Sequence, residues 1–175
     1  MKTSSTLLAL ALSAATWTGA QAQTIYPSTT DYYFEVGLVP MEIREGGQIF
    51  KPTGMRLILG KNLNSNLAFE GMYAFSLSTD KQPTFDAKSD QYGLFFKPKI
   101  VISDATDVFA RIGYGSSSVT SSAQGSKTIS DWTYGLGIQT RFNSDLFGQL
   151  DYMTYANKDG LWVRGVGLSL GLRFN

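Results

Sequence analysis

The most regular feature of this chain is a period of two. From about residue 31 onward, apolar residues alternate with polar or small ones. The closing run GVGLSLGLRFN (165–175) shows it plainly: Val166, Leu168, Leu170, Leu172 and Phe174 fall on one face, and Gly165, Gly167, Ser169, Gly171 and Arg173 on the other. Such alternation marks β-strands with two unlike faces. It predicts eight strands, at about 31–41, 53–61, 66–78, 90–102, 107–117, 130–142, 146–156 and 161–174. Each is long enough to cross a bilayer at a tilt, which takes about 9–11 residues.

The connections alternate in kind. Asn62 to Ser65, Ser103 to Thr106 and Asn143 to Asp145 are short and rich in Asn, Asp and Ser, as tight turns require. Segments 42–52, 79–89, 118–129 and 157–160 read as longer, looser loops. An even strand number with short turns at one end and long loops at the other predicts an all-β fold: an eight-stranded antiparallel up-and-down transmembrane β-barrel, with both termini on the short-turn, periplasmic side.

The two faces say which side meets lipid. Charges within the central strand segments all take the face opposite the apolar row: Glu35, Arg56, Glu70, Lys97, Lys99, Arg111, Arg141, Asp151 and Arg173. A soluble barrel shows the same period with the apolar face inward. Here the polar face is crowded with glycine, as a narrow lumen holding long side chains requires. The apolar rows also carry aromatics near their ends, at Tyr32, Phe34, Tyr92, Tyr114, Trp132, Phe142, Trp162 and Phe174. These are expected to form interfacial girdles, with the apolar face toward lipid. Eight strands enclose only enough room for side chains. Inward Phe95, Phe109, Phe147, Met153 and Tyr155 are therefore expected to plug the lumen, with Glu35, Glu70 and Asp151 paired to the surrounding Arg and Lys. Pro40 and Pro98 each remove a ladder donor from within a strand, so a bulge or pairing gap is expected at both.

Composition adds location and exclusions. Lys2, the apolar run Leu7 to Ala15 and the small-x-small site Ala20-Gln21-Ala22 read as a signal peptide, residues 1–22, leaving a barrel domain at 23–175. The whole chain has 15 basic and 14 acidic residues, so without Lys2 it is close to neutral. That charge balance argues against nucleic acid as a partner. Cysteine and histidine are both absent, which removes disulfides and the commonest general base and metal ligand. The glycines at 165, 167 and 171 lack dinucleotide-loop spacing. Serines at 116–126 have no histidine base and read as a mobile loop. Loop carboxylates Glu42, Glu45, Asp80 and Asp86 match no cation-loop motif. No cofactor or metal and no catalytic residue is expected.

The segments LAFEGMYAF, YGLFFKPKI followed by DVFARIGYG, YGLGIQTRF followed by FGQLDYMTY, and the tail GLSLGLRF carry a likeness. Over about residues 31–174 the chain resembles the small eight-stranded outer-membrane barrels, namely the OmpA membrane domain, OmpX, Ail-like proteins and the broad outer membrane protein beta-barrel family. The resemblance implies insertion by the barrel-assembly machinery, which reads a last strand ending in an aromatic residue; Leu170, Leu172 and Phe174 stand there, followed by Asn175. It also implies a non-enzymatic barrel, because the lipid-modifying members use a histidine with serine.

The functional expectation is a monomeric, structural or adhesive and protective protein of the bacterial outer membrane. Its neighbours would be outer-membrane lipid and lipopolysaccharide, and its loops could meet host or surface ligands. Trp132, Trp162 and Arg164 form the expected lipid rim, Arg164 either meeting lipid phosphate or standing solvated. The alternative is a barrel that transports small solutes or hydrophobic compounds, through a lateral gap near Pro98.

Overall fold

The computed structural model describes residues 31–77, 80–82, 85–121 and 125–174. The expected signal peptide and Asn175 lie outside them. Ten strands follow in chain order: β1 (Tyr32–Glu45), β2 (Gln48–Phe50), β3 (Thr53–Asn64), β4 (Leu67–Ser76), β5 (Asp80–Gln82), β6 (Phe85–Val101), β7 (Thr106–Ser121), β8 (Gly125–Arg141), β9 (Leu146–Lys158) and β10 (Leu161–Phe174). Eight of them are long staves, each antiparallel to its sequence neighbour in the order β1-β3-β4-β6-β7-β8-β9-β10. β10 then pairs back onto β1, from Tyr32↔Phe174 to Glu45↔Leu161, and closes the barrel. The free edge that alternation alone would leave is thereby removed.

The outward face is apolar and the inward face is not. Leu136, Leu168 and Trp132 are 68%, 66% and 64% exposed, whereas Arg111 and Glu70 are at 0%. In water that arrangement would strand apolar surface outside and charge inside, so the outward band requires lipid. At the short-turn end the rings of Tyr32 and Phe174 stack at 6.2 Å, and Phe69 meets Phe96 at 5.5 Å. Further along the strands Tyr114 and Trp132 pack edge to face at 6.1 Å.

Both prolines leave the gaps their missing donors demand, with no change of register. The β1–β10 ladder skips Val39 and Pro40 between Leu38↔Leu168 and Met41↔Gly165. The β6–β7 ladder skips Lys97 and Pro98 between Phe96↔Ile112 and Lys99↔Phe109. The register shifts fall elsewhere, at Asn62/Asn64 and at Val163/Arg164.

The long connections differ from the sequence reading. Among the described residues they are largely strand-paired and carry the staves onward. β2 keeps the register of β3 against β1, and the turn between β1 and β2 is Gly46-Gly47 with φ of 57° and 82°. Two successive positive φ values make the type I′ turn that suits a twisted hairpin, and glycine adopts them without strain. Asp159-Gly160, with φ of 52° and 77°, does the same between β9 and β10. The serine-rich run is likewise strand: Ser116 to Ser121 of β7 pair with Ser130 to Gly125 of β8. Within segment 79–89, β5 pairs with the start of β6.

Beyond the outward apolar band, toward the long hairpins, the sheet splits. The β8–β9 ladder ends at Tyr134↔Thr154. Beyond it only side chains stitch the two strands, with Thr133 Oγ1 donating to the Tyr155 carbonyl at 3.0 Å and the Asn157 N–H to Asp131 Oδ2 at 3.1 Å. The Tyr155 bulge of β9 sits at this point.

Strand packing yields a contrast to measure. A Cβ at Gly113 would lie 2.0 Å from the Leu94 carbonyl oxygen, whereas one at Gly71, on the lipid face, meets nothing nearer than 3.8 Å. Gly113→Ala is expected to cost about 1–3 kcal/mol through forced backbone movement. It should reduce the heat-modifiable, folded band on semi-native gels, while Gly71→Ala leaves that band unchanged.

Candidate functional site

Inward side chains stand in the lumen at three levels. The middle layer is a closed network of charges and amides. Alternation aims Tyr33 and Glu35 of β1, Arg56 of β3, Glu70 of β4, Lys97 of β6, Arg111 of β7, Gln139 of β8, Gln149 and Asp151 of β9 and Ser169 of β10 at one level, and all are buried. Every long stave contributes at least one member.

Arg111 is the hub. Its Nε donates to Glu70 Oε2 at 2.6 Å, and its Nη2 to Glu35 Oε2 at 3.0 Å and Gln149 Oε1 at 3.1 Å. Its Nη1 donates to Asp151 Oδ2. Arg56 grips Asp151 with both terminal nitrogens, at 2.9 and 2.7 Å, and also donates to Ser169 Oγ at 2.9 Å. Such fork-to-fork pairing fixes geometry as well as charge. Lys97 Nζ donates to Gln149 at 2.9 Å, Gln139 at 3.1 Å and Glu35 at 3.3 Å, and lies 3.3 Å from Glu70 Oε1. The Phe109 ring stands 4.4 Å from the same ammonium. Tyr33 donates its hydroxyl to Glu70 Oε1 at 2.5 Å. Three cations, Arg56, Lys97 and Arg111, thus balance three carboxylates, Glu35, Glu70 and Asp151.

The layer at the short-turn end holds the remaining charges of the expected set. Lys99, Arg141 and Arg173 do not join the middle network, because they lie at the strand ends nearest the short turns. Lys99 donates to Asn62 Oδ1 at 2.7 Å and Arg141 pairs with Asp107 at 3.1 Å. Arg173 lies over the Phe147 ring at 5.1 Å. The outer layer is mainly apolar, with Ser89, Gln91 and Ser117 buried among its members. Val39, Met41, Ile43, Phe50, Val119, Ile129, Leu161 and Val163 are buried together. Lys127, 2.8 Å from the Asp159 carbonyl, ties the β7–β8 hairpin across to the β9–β10 turn. Phe95, Phe109, Phe147, Met153 and Tyr155 are all buried inside, as their parity requires.

Several members were missed in the sequence: Tyr33, Asp107, Gln139, Gln149 and Ser169. Each shares the inward parity of a charged residue two or four positions away on its own strand, so parity is the available signal. The outer apolar layer is only half signalled: Val39, Met41, Leu161 and Val163 lie in predicted strands, whereas Ile43, Phe50, Val119 and Ile129 lie in segments read as loops.

On the outside, Leu170, Leu172 and Phe174 line the lipid face of β10. Trp132 is exposed beside Tyr114. Arg164 donates to Glu42 Oε1 at 2.9 Å and lies over the Trp162 ring at 4.5 Å. Among the described residues no group of three or more acidic side chains converges as a metal site. Glu42 is ion-paired instead, and Glu45 lies 3.9 Å from Lys127.

Removing Arg111 tests the balance of the network. Arg111→Met leaves three carboxylates against two cations in a water-poor lumen. Breaking one side of a buried pair costs about 3–5 kcal/mol. Adding Glu70→Gln restores neutrality, so the double variant is expected to regain part of that loss. Urea unfolding followed by far-ultraviolet circular dichroism reads both, and a double variant weaker than the sum of its singles would contradict the coupling.

A comparison with curated protein sequences finds no significant match. Solved structures do match in fold. The attachment invasion locus protein Ail of Yersinia pestis aligns with a TM-score of 0.64 at 19% identity, covering 83% of this chain and 99% of Ail. Neisserial surface protein A aligns with a TM-score of 0.64 at 16% identity, covering 81% of this chain and 95% of that one. The N-terminal β-barrel domain of Pseudomonas aeruginosa OprF gives 0.56 at 15% identity, over 80% and 97%. The outer membrane protein beta-barrel domain family matches residues 4–174. With its closed eight-stave barrel, lipid-facing apolar band and polar lumen, this chain belongs to that family, the β-barrels of the bacterial outer membrane.

Proposed function

We propose that the protein is a non-enzymatic integral outer-membrane barrel whose lumen is plugged by its own side chains and whose outer hairpins act at the cell surface, in a structural, adhesive or protective role. The observation that carries this reading is the neutral network joining all eight staves. It occupies one level of the lumen with charges that answer one another, leaving no unpaired charge in the network to draw an ion through. The absence of histidine and cysteine from the sequence supports a non-catalytic role.

In this reading residues 1–22 are removed on export and 23–175 form the mature, monomeric barrel. The barrel-assembly machinery takes the last strand at Leu170, Leu172 and Phe174. Trp132, Trp162 and Arg164 meet the lipopolysaccharide leaflet. The outer hairpins are strand-paired and tied across the mouth by Lys127, so they offer a preformed surface, which lowers the ordering cost of a surface ligand. A barrel of the same fold, Ail, has been crystallised with a heparin analogue, sucrose octasulfate, which supports a surface-ligand role for hairpins of this kind.

Two measurements test the reading. Purified protein in planar bilayers is expected to give no steady conductance; reproducible nanosiemens channels would establish the transport alternative instead. The chain has no native cysteine, so Ser126→Cys at the β8 start is a unique label. A membrane-impermeant maleimide should react with it on intact cells, and protection there would place the hairpins on the wrong side.

A further inference from the structure

Just beyond the outward aromatic belt, β1 and β10 build a small polar cluster. The register sets Glu42 opposite Arg164 and Arg44 opposite Trp162. Both guanidiniums donate to one carboxylate oxygen: Arg44 Nε lies 2.5 Å from Glu42 Oε1, and Arg164 Nη2 lies 2.9 Å from the same atom. Both also flank one indole, with Arg44 Cζ 5.2 Å and Arg164 Cζ 4.5 Å from the Trp162 ring centroid. The side chains remain accessible, at 43% for Arg44, 26% for Arg164 and 24% for Glu42. By the register that pairs Pro40 with Thr53 and Ile43 with Phe50, Lys51 falls opposite Glu42 and adds a third cation beside the single carboxylate.

Two arginines converging on one oxygen have the geometry of an anion clamp. A guanidinium has five N–H donors in a planar fork and matches tetrahedral oxyanions better than a carboxylate shared through a single oxygen. Stacking on Trp162 holds each fork in place before a ligand arrives. The hydrogen bond from Arg44, joined by that from Arg164, keeps the Glu42 carboxyl below its ordinary range. The cluster is therefore occupied by a charged resident.

We propose that Arg44 and Arg164, braced by Trp162, form a binding site for a phosphate monoester on the saccharide headgroup of an outer-leaflet glycolipid, and that Glu42 is the site's own competing ligand. A headgroup phosphate displaces the Glu42 carboxylate, taking its place between the two guanidiniums. The proposal rests on the surface placement argued above and adds to it the chemistry of the contact, a second arm at Arg44, and a built-in brake at Glu42.

Trp162 supplies the readout. In a Trp132→Phe background it is the one tryptophan of residues 23–175. The refolded barrel in zwitterionic detergent is titrated with bisphosphorylated lipid A, with dephosphorylated lipid A and with inorganic phosphate, following tryptophan emission. A saturable response to bisphosphorylated lipid A, absent with the dephosphorylated form and weaker with inorganic phosphate, is expected. Glu42→Gln removes a charged competitor held only by accessible, weak ion pairs, so it should tighten binding several-fold. Arg44→Gln and Arg164→Gln should each weaken it, and the heat-modifiable gel shift verifies that each variant is folded.

Equal responses to both lipids would overturn phosphate recognition. Inorganic phosphate binding as tightly as the lipid would overturn the headgroup assignment. Unchanged or weaker binding by Glu42→Gln would overturn the competing role. Failure of the titration while Ser126→Cys still labels on cells sinks the clamp and leaves the surface reading standing; protection of Ser126→Cys sinks the surface reading itself.

Discussion

The structure depends on one constraint: an eight-stranded barrel has a lumen only as wide as its side chains, and the middle of that lumen must hold six charges. Arg56, Lys97 and Arg111 answer Glu35, Glu70 and Asp151 with contacts of 2.6–3.3 Å and one shorter still, between Arg111 and Asp151. A buried ion pair adds little net stability, because desolvation opposes the Coulomb gain. Its larger effect is on alternatives. A one-residue slip of any stave reverses its faces, sending a charge into lipid and leaving its partner unpaired inside. Since each stave carries a member of the network, the correct register is the one in which every charge is answered.

Polarity reverses along the same strands at the membrane boundary. The outward residues of β8 run Ile138, Leu136, Tyr134 and Trp132 within the apolar band, then Ser130, Thr128 and Ser126 beyond it, all of them exposed. Inward residues change the opposite way: on β1, Tyr33 and Glu35 give way to Val39, Met41 and Ile43, all buried. Within lipid the exterior must be apolar and the polar groups turn in. Above it the exterior is water and the interior becomes an ordinary apolar core. The outer hairpins are thus held by the forces that hold a soluble β-protein. Their hydroxyls pair across strands, as in Ser118 with Thr128 at 2.8 Å. Where the β8–β9 ladder stops, side chains of Asp131 and Thr133 carry the connection in its place.

Strand-paired hairpins and a network of inward charges give the molecule its character. The core supplies a fixed frame, and the rim above the aromatic belt presents charged groups in set positions. Arg44, Arg164 and Glu42 are held by the closure of β10 on β1, so the joint that completes the barrel also assembles the rim cluster.

By itself the sequence determined the fold class, the stave number, the inward parity of Glu35, Arg56, Glu70, Lys97, Arg111 and Asp151, and the ladder gaps at Pro40 and Pro98. All of these follow from local alternation and from the missing proline donor, which need no knowledge of distant residues. It did not determine that Lys99, Arg141 and Arg173 stand apart from the central network, because parity gives a face and not a height. Nor did it reveal the outer hairpins: their polarity reverses at the membrane boundary, so the pattern that marked the strands inside lipid ended where lipid ends. The pairing of Arg164 with Glu42, 122 positions away in the chain, came only with barrel closure. Which oppositely charged groups meet is a property of the closed ladder, and only the tertiary structure supplies that.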